Sequence, residues 1–108
     1  MENFELPQLF ADRPAGHNYF ELIRVPAMSA GLYALQPGEA DPQVPHHEDE
    51  LYYVVGGRGT IRAGAEDHPV GPGSAVFVPA GVPHHFHSIT AELQVLVVFA
   101  PAETPTAT

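Results

Sequence analysis

Gly73-Ser-Ala-Val-Phe-Val-Pro79-Ala-Gly81-Val-Pro83-His84-His-Phe-His-Ser88 is the stretch on which the reading of this 108-residue chain turns. It reads as a short apolar strand at Ala75–Val78, a stiff turn at Pro79–Pro83 and a second strand at His84–Ser88. Strand alternation places His84 and Phe86 on one face and His85 and His87 on the other. Only one face can look into a barrel, so either His84 or the His85/His87 pair points inward.

The same punctuation runs outward through the chain. Ten glycines and twelve prolines mark turns at Pro37-Gly38, Gly56-Gly57, Gly64 and Pro72-Gly73. Turns every ~8–12 residues are the rhythm of all-β sandwiches and barrels. Further strands are expected near Tyr19–Val25, Ala30–Gln36, Leu51–Val55, Thr60–Ala63 and Leu93–Phe99. The one helical pattern is Leu6, Leu9, Phe10 and Arg13, a turn or two broken by Pro7 and ended by Pro14. Val95–Phe99 is apolar on both parities, which suits a strand covered on both faces. A homodimer contact and cover by the N-terminal segment both answer to that pattern. One domain is expected over residues 1–100. Residues 101–108, rich in proline and threonine, read as a loose tail.

Thirteen acidic residues stand against four arginines and no lysine, a formal charge of -9 with histidine neutral. That charge repels phosphate backbones and anionic lipid, so neither nucleic acid nor a membrane surface is an expected partner. With no cysteine, disulfides, thiolate metal sites and thiol nucleophiles are excluded. The N-terminus, Met1-Glu-Asn-Phe-Glu5, lacks the cationic start of a secretory signal, and a cytoplasmic location is expected.

A second cluster, His46-His47-Glu48-Asp49-Glu50, leads into Leu51-Tyr-Tyr-Val-Val55. Two imidazoles and three carboxylates beside an apolar strand cost desolvation unless something pairs them. A divalent metal does so, and imidazole with carboxylate suits Fe, Mn, Ni, Zn or Co. On an extended chain 46, 48 and 50 share a face. His46 and Glu50 therefore converge, while His47 points away.

These residues resemble the two motifs of the cupin superfamily, and more narrowly its small single-domain bacterial members. Gly73-x5-Pro79-x-Gly81-x2-His84 follows the second motif, G-x5-P-x-G-x2-H-x3-N, with Ser88 in place of asparagine. His46-x3-Glu50-x6-Gly57 follows the later part of the first motif, G-x5-H-x-H-x3,4-E-x6-G. The first motif histidine falls on Val44. The resemblance implies an all-β double-stranded β-helix, a jelly-roll barrel, after a short N-terminal helical turn. It implies a divalent metal on His46, Glu50 and His84, with His47 or Glu48 as candidates for the place left by Val44. Two histidines and one carboxylate with open positions suit Fe(II) oxygen chemistry, and the same set accepts Zn, Mn or Ni.

The implied function is a metal-dependent enzyme, dioxygenase- or isomerase-like, acting on a small organic molecule. The alternative is a non-catalytic binding module. Tyr33, Tyr52, Phe77 and Phe86 are the candidate pocket residues, with Tyr52 the candidate catalytic residue. His17, His68, His85 and His87 read as surface or sheet-edge residues. Arg58 is expected exposed in its Gly57-Arg58-Gly59 turn. Arg24 either holds a substrate carboxylate or pairs with an acid on the outer face.

Overall fold

The computed structural model describes residues 1–13, 18–42 and 45–104. His17 and Val44 lie outside the described residues, as do the last four residues of the chain. One helix, α1 (Leu6–Asp12), precedes six strands: β1 (Tyr19–Val25), β2 (Met28–Leu35), β3 (Asp49–Ala63), β4 (Glu66–Val70), β5 (Ala75–Val78) and β6 (His84–Ala100). They form an antiparallel jelly-roll with strand order β1-β2-β6-β3-β4, and β5 pairs Glu50–Tyr53 near the start of β3.

β1 and β5 match the strands expected from the sequence, but two expected breaks are absent. Gly56-Gly57 reads as a turn, yet β3 runs through it, with register shifts against β6 between Val54 and Thr60. The glycines serve the irregular pairing and not a reversal. At Gly57 φ is +86°, and a Cβ would lie 2.0 Å from the Glu92 carbonyl oxygen, so only glycine fits. β6 likewise joins the two strands read at His84–Ser88 and Leu93–Phe99. β4 escapes sequence reading because Glu66-Asp-His-Pro-Val70 is polar and contains Pro69, a composition suited to an exposed edge. Pro7 does not break α1; it sits in the first turn, where a missing N–H costs nothing.

The inward faces form one core that includes Tyr33, Leu35, Tyr52, Val54, Val78, Phe86, Val95, Val97 and Phe99. On the outer face of β2 and β6, Phe10 of α1 packs with Leu32 and Ala34, and Leu6, Leu9 and Leu96 lie against them. That contact accounts for the two-sided apolar character of β6: the N-terminal helix covers its outer side.

Pro101–Thr104 is not the loose tail its composition suggests. Glu103 N donates to Ser29 Oγ at 2.9 Å. Thr104 donates to Glu48 Oε2 from its backbone N at 3.2 Å and from Oγ1 at 2.8 Å. Buried Ser29 and Glu48 thus anchor these residues across the barrel end.

Candidate metal centre

Alternation along β3 turns Glu50, Tyr52 and Val54 inward and leaves Asp49, Leu51 and Tyr53 outside. On β6 it turns His84 and Phe86 inward. His46 precedes β3, and two hydrogen bonds tie its segment to the turn ahead of His84. Gly81 N donates to the His46 carbonyl at 2.8 Å. Ala80 N donates to Asp49 Oδ1 at 2.9 Å. The rigid proline–glycine turn thereby sets His84 beside His46, with ring centroids 5.6 Å apart. The His46 ring also meets the edge of Phe99 at 5.0 Å.

One donor atom each from His46, Glu50 and His84 lies within 4.8 Å of the others. Glu50 is 2 % exposed and His84 5 %. His84 Nδ1 lies 2.9 Å from the Val82 carbonyl oxygen and in the neutral ring donates to it. That fixes the tautomer and leaves a lone pair on Nε2. The Tyr52 hydroxyl, 2.9 Å from Nε2, then donates to it. Glu50 Oε1 is also 2.9 Å from Nε2. Yet this oxygen is buried and has no hydrogen-bond donor. Two electron-rich atoms this close, out of water, require a cation or a proton between them. A separation near 3 Å is that of two ligands on one ion with bonds of about 2.0–2.2 Å. His46 Nε2 is 3.9 Å from the same oxygen. The donor set and the orphaned carboxylate oxygen fit a divalent transition metal.

Burial pushes the His84 pKa down, but the Glu50 carboxylate and the Val82 carbonyl outweigh it, and the net shift is upward. Burial, then the Asp41 carboxylate, raises Tyr33 well above the ordinary phenol range. Burial, then Glu103, does the same for Tyr19. Both phenols remain protonated near neutrality. The Tyr33 hydroxyl donates to Asp41 Oδ1, and Asp41 Oδ2 accepts from Phe86 N at 2.8 Å.

A cavity of about 150 Å³ opens at the centre, lined by Tyr19, Tyr33, His46, Glu50, Tyr52, Val97, Phe99 and Glu103. Of the candidate pocket residues, Tyr33 and Tyr52 line this cavity. Phe77 does not: it is 61 % exposed on the outer face. The register pairs Leu51 with Phe77 and Tyr52 with Val76, and directly paired residues share a face, so Phe77 turns out with Leu51. Phe86 is buried behind Tyr52, its ring 4.9 Å away, and lines the core rather than the cavity.

The other candidates fall away from the centre. His47 and His68 are exposed, and His85 is half-buried on the face opposite His84. His87 Nε2 contacts Asp67 Oδ1 at 2.8 Å. Glu48 Oε2 is engaged by Thr104, so this carboxylate does not stand with the trio. Arg24 pairs with Glu21 at 2.7 Å on the outer surface, and Arg58 is exposed. Sequence reasoning misses Tyr19, Phe99 and Glu103. One signal for Tyr19 lies in Gly31: a Cβ there would come within 2.5 Å of the Tyr19 ring, so the glycine makes room for it.

The fold is a small β-barrel whose His46, Glu50 and His84 group could hold a metal ion, and comparison with known proteins places it. Residues 31–100 match the Cupin domain family, and the chain belongs to that family. It is 50 % identical over 105 residues to an uncharacterized protein of Streptomyces coelicolor, covering 96 % of this chain and all of that one. A crystal structure from Thermus thermophilus is 33 % identical over 94 % of this chain and 99 % of that one, with a TM-score of 0.76. The DMSP lyase DddQ of Ruegeria pomeroyi shares the fold at 24 % identity and a TM-score of 0.66, over 78 % of this chain and 42 % of that one. Among the described residues no helix is long and apolar enough to cross a membrane.

Proposed function

We propose that this chain is a metal-dependent enzyme in which His46, Glu50 and His84 hold a divalent transition metal beneath a small organic substrate. The observation that carries the reading is Glu50 Oε1, buried, without a donor and 2.9 Å from His84 Nε2. When bound, the metal supplies Lewis acidity, or dioxygen chemistry if it is iron, which makes a dioxygenase or an isomerase the reaction class.

The chain's own groups do the rest. The Val82 carbonyl holds His84 in the ligating tautomer. Val97 and Phe99 give the cavity an apolar wall. The Tyr19 hydroxyl is buried, without a partner, and lines the cavity, so it can donate to a substrate oxygen. Tyr52 reaches both His84 and the cavity, which suits it to hold or pass a proton beside the reacting atoms. A cavity near 150 Å³ admits a body of roughly benzene size. No arginine lines it among the described residues, so the metal meets any negative charge on the substrate.

The test begins with metal content in protein purified without chelator, wild type against His84→Ala. Stoichiometric metal in the wild type and its loss in the variant support the reading. Sub-stoichiometric metal unaffected by the substitution refutes it. Iron-loaded protein is then assayed for oxygen uptake with catechols, diketones and thiols. Metal binding without any turnover favours a non-catalytic carrier or sensor. A homodimer is proposed on the exposed Leu51, Tyr53 and Phe77 of the outer face.

A further inference from the structure

We infer that Glu103 is a positioning residue for the metal centre, its carboxylate holding the Nδ1 edge of His46 so that Nε2 turns toward Glu50 and His84. The inference rests on the metal reading above and adds a residue that lies beyond both motifs.

The geometry starts with the backbone. Ala102 N donates to the Pro26 carbonyl at 3.3 Å. With the bonds from Glu103 N to Ser29 and from Thr104 to Glu48, three successive residues are pinned. Two of the anchors, Ser29 and Glu48, are 0 % and 4 % exposed. A buried carboxylate is costly, and Glu48 Oε2 is committed to holding this strap. These bonds hold the strap, and Glu103 projects from it into the cavity wall.

There Glu103 Oε2 lies 3.4 Å from His46 Nδ1, while His46 Nε2 faces Glu50 Oε1 at 3.9 Å. One edge of the ring meets Glu103 and the other meets the donor cluster. This is the carboxylate–histidine–metal arrangement, in which the outer carboxylate sets the tautomer and raises the basicity of the ligand. The 3.4 Å contact is long for a hydrogen bond, and such contacts tighten when a site fills. Glu103 is not itself among the clustered donors. The chain has Val44 at the first motif histidine. A three-donor site depends more heavily on the orientation of each remaining ligand.

The experiment compares the full-length wild type with Glu103→Gln and Glu103→Ala. Zinc affinity is read by chelator competition, and the His46 ring tautomer of metal-free protein by nitrogen-15 NMR. Both variants are expected to lose about 10–100-fold in zinc affinity. Glu103→Ala is expected to shift the His46 proton from Nδ1 toward Nε2. Glu103→Asp is expected to recover part of the affinity. Cobalt-loaded wild type and Glu103→Gln are expected to give the same visible spectrum, since no ligand is lost. Unchanged affinity with an unchanged tautomer overturns the inference. A cobalt spectrum that shows a lost ligand overturns it in favour of direct coordination. If the wild type binds no metal, the metal reading itself fails. The tautomer still tests the His46–Glu103 contact on its own.

Discussion

Glu50→Gln should move stability in opposite directions depending on whether metal is present. In metal-free protein the Glu50 carboxylate is buried with one oxygen lacking a donor. An unsatisfied buried acceptor costs about 1–3 kcal/mol, more when charged. The substitution keeps the shape and removes the charge. For 108 residues, about 2.1 cal/mol/K per residue gives an unfolding entropy near 0.23 kcal/mol/K. One kcal/mol is then worth roughly 4 °C, and the relief should raise the midpoint by about 4–13 °C.

The pH of the comparison matters because His84 faces the same oxygen. Its pKa is raised in the folded state, so the ion pair stabilises fully below the unfolded histidine value and is lost as pH rises through the folded one. The gain should therefore appear at pH 9 in chelator and shrink or reverse near pH 5.5. Metal reverses the order. At a hundred times Kd a ligand of the native state adds about 2.7 kcal/mol, roughly 12 °C here. Only the wild type should show that rise. The assay is thermal unfolding by circular dichroism, with chelator and with excess Zn²⁺ or Mn²⁺. Two proteins that respond equally to metal, or a variant less stable than the wild type at pH 9 without metal, would refute the reasoning.

Other perturbations have simpler signatures. Tyr52→Phe removes the hydroxyl that meets His84 Nε2 and should cost about 0.5–1.5 kcal/mol in chemical denaturation. If Tyr52 handles a proton, turnover falls far more than metal content does; equal retention of both would remove it from the chemistry. Gly57→Ala places a Cβ 2.0 Å from the Glu92 carbonyl at a φ of +86° and should destabilise by about 2 kcal/mol or more, read as a lowered urea midpoint. Phe77→Glu alters a side chain that is 61 % exposed, so the monomer should stay folded, and on the proposed homodimer sedimentation should show dissociation. An unchanged sedimentation coefficient would place any dimer contact elsewhere.

The site was legible in the sequence to the extent that its residues are local to a strand or a turn. Glu50 lies at the start of β3 and His84 at the start of β6, directly after a proline–glycine turn, and for these two alternation decides the facing. His46 stands before β3, across a bend at His47 and Glu48, and its place depends on the tie to the turn ahead of His84. The same logic failed for Phe77, because the facing of β5 depends on its register against β3. It also failed at Gly56-Gly57, where glycine serves an irregular pairing with β6 that no local signal distinguishes from a turn. β4 was missed because an edge strand needs no apolar face.

By itself, then, the sequence determined the class of fold, the spacing of the three candidate donors and the exclusion of thiolate from among them. Turn chemistry, strand parity and the absence of cysteine are properties of neighbouring residues. Tertiary structure alone decided that His46 and His84 meet over Glu50, that Tyr19 and Phe99 wall the cavity, and that Glu103 returns from beyond β6 to face His46. Those contacts join residues far apart in the chain. They exist because β6 lies between β2 and β3 and because Ser29 and Glu48 hold the strap, and neither pairing is written in any single segment.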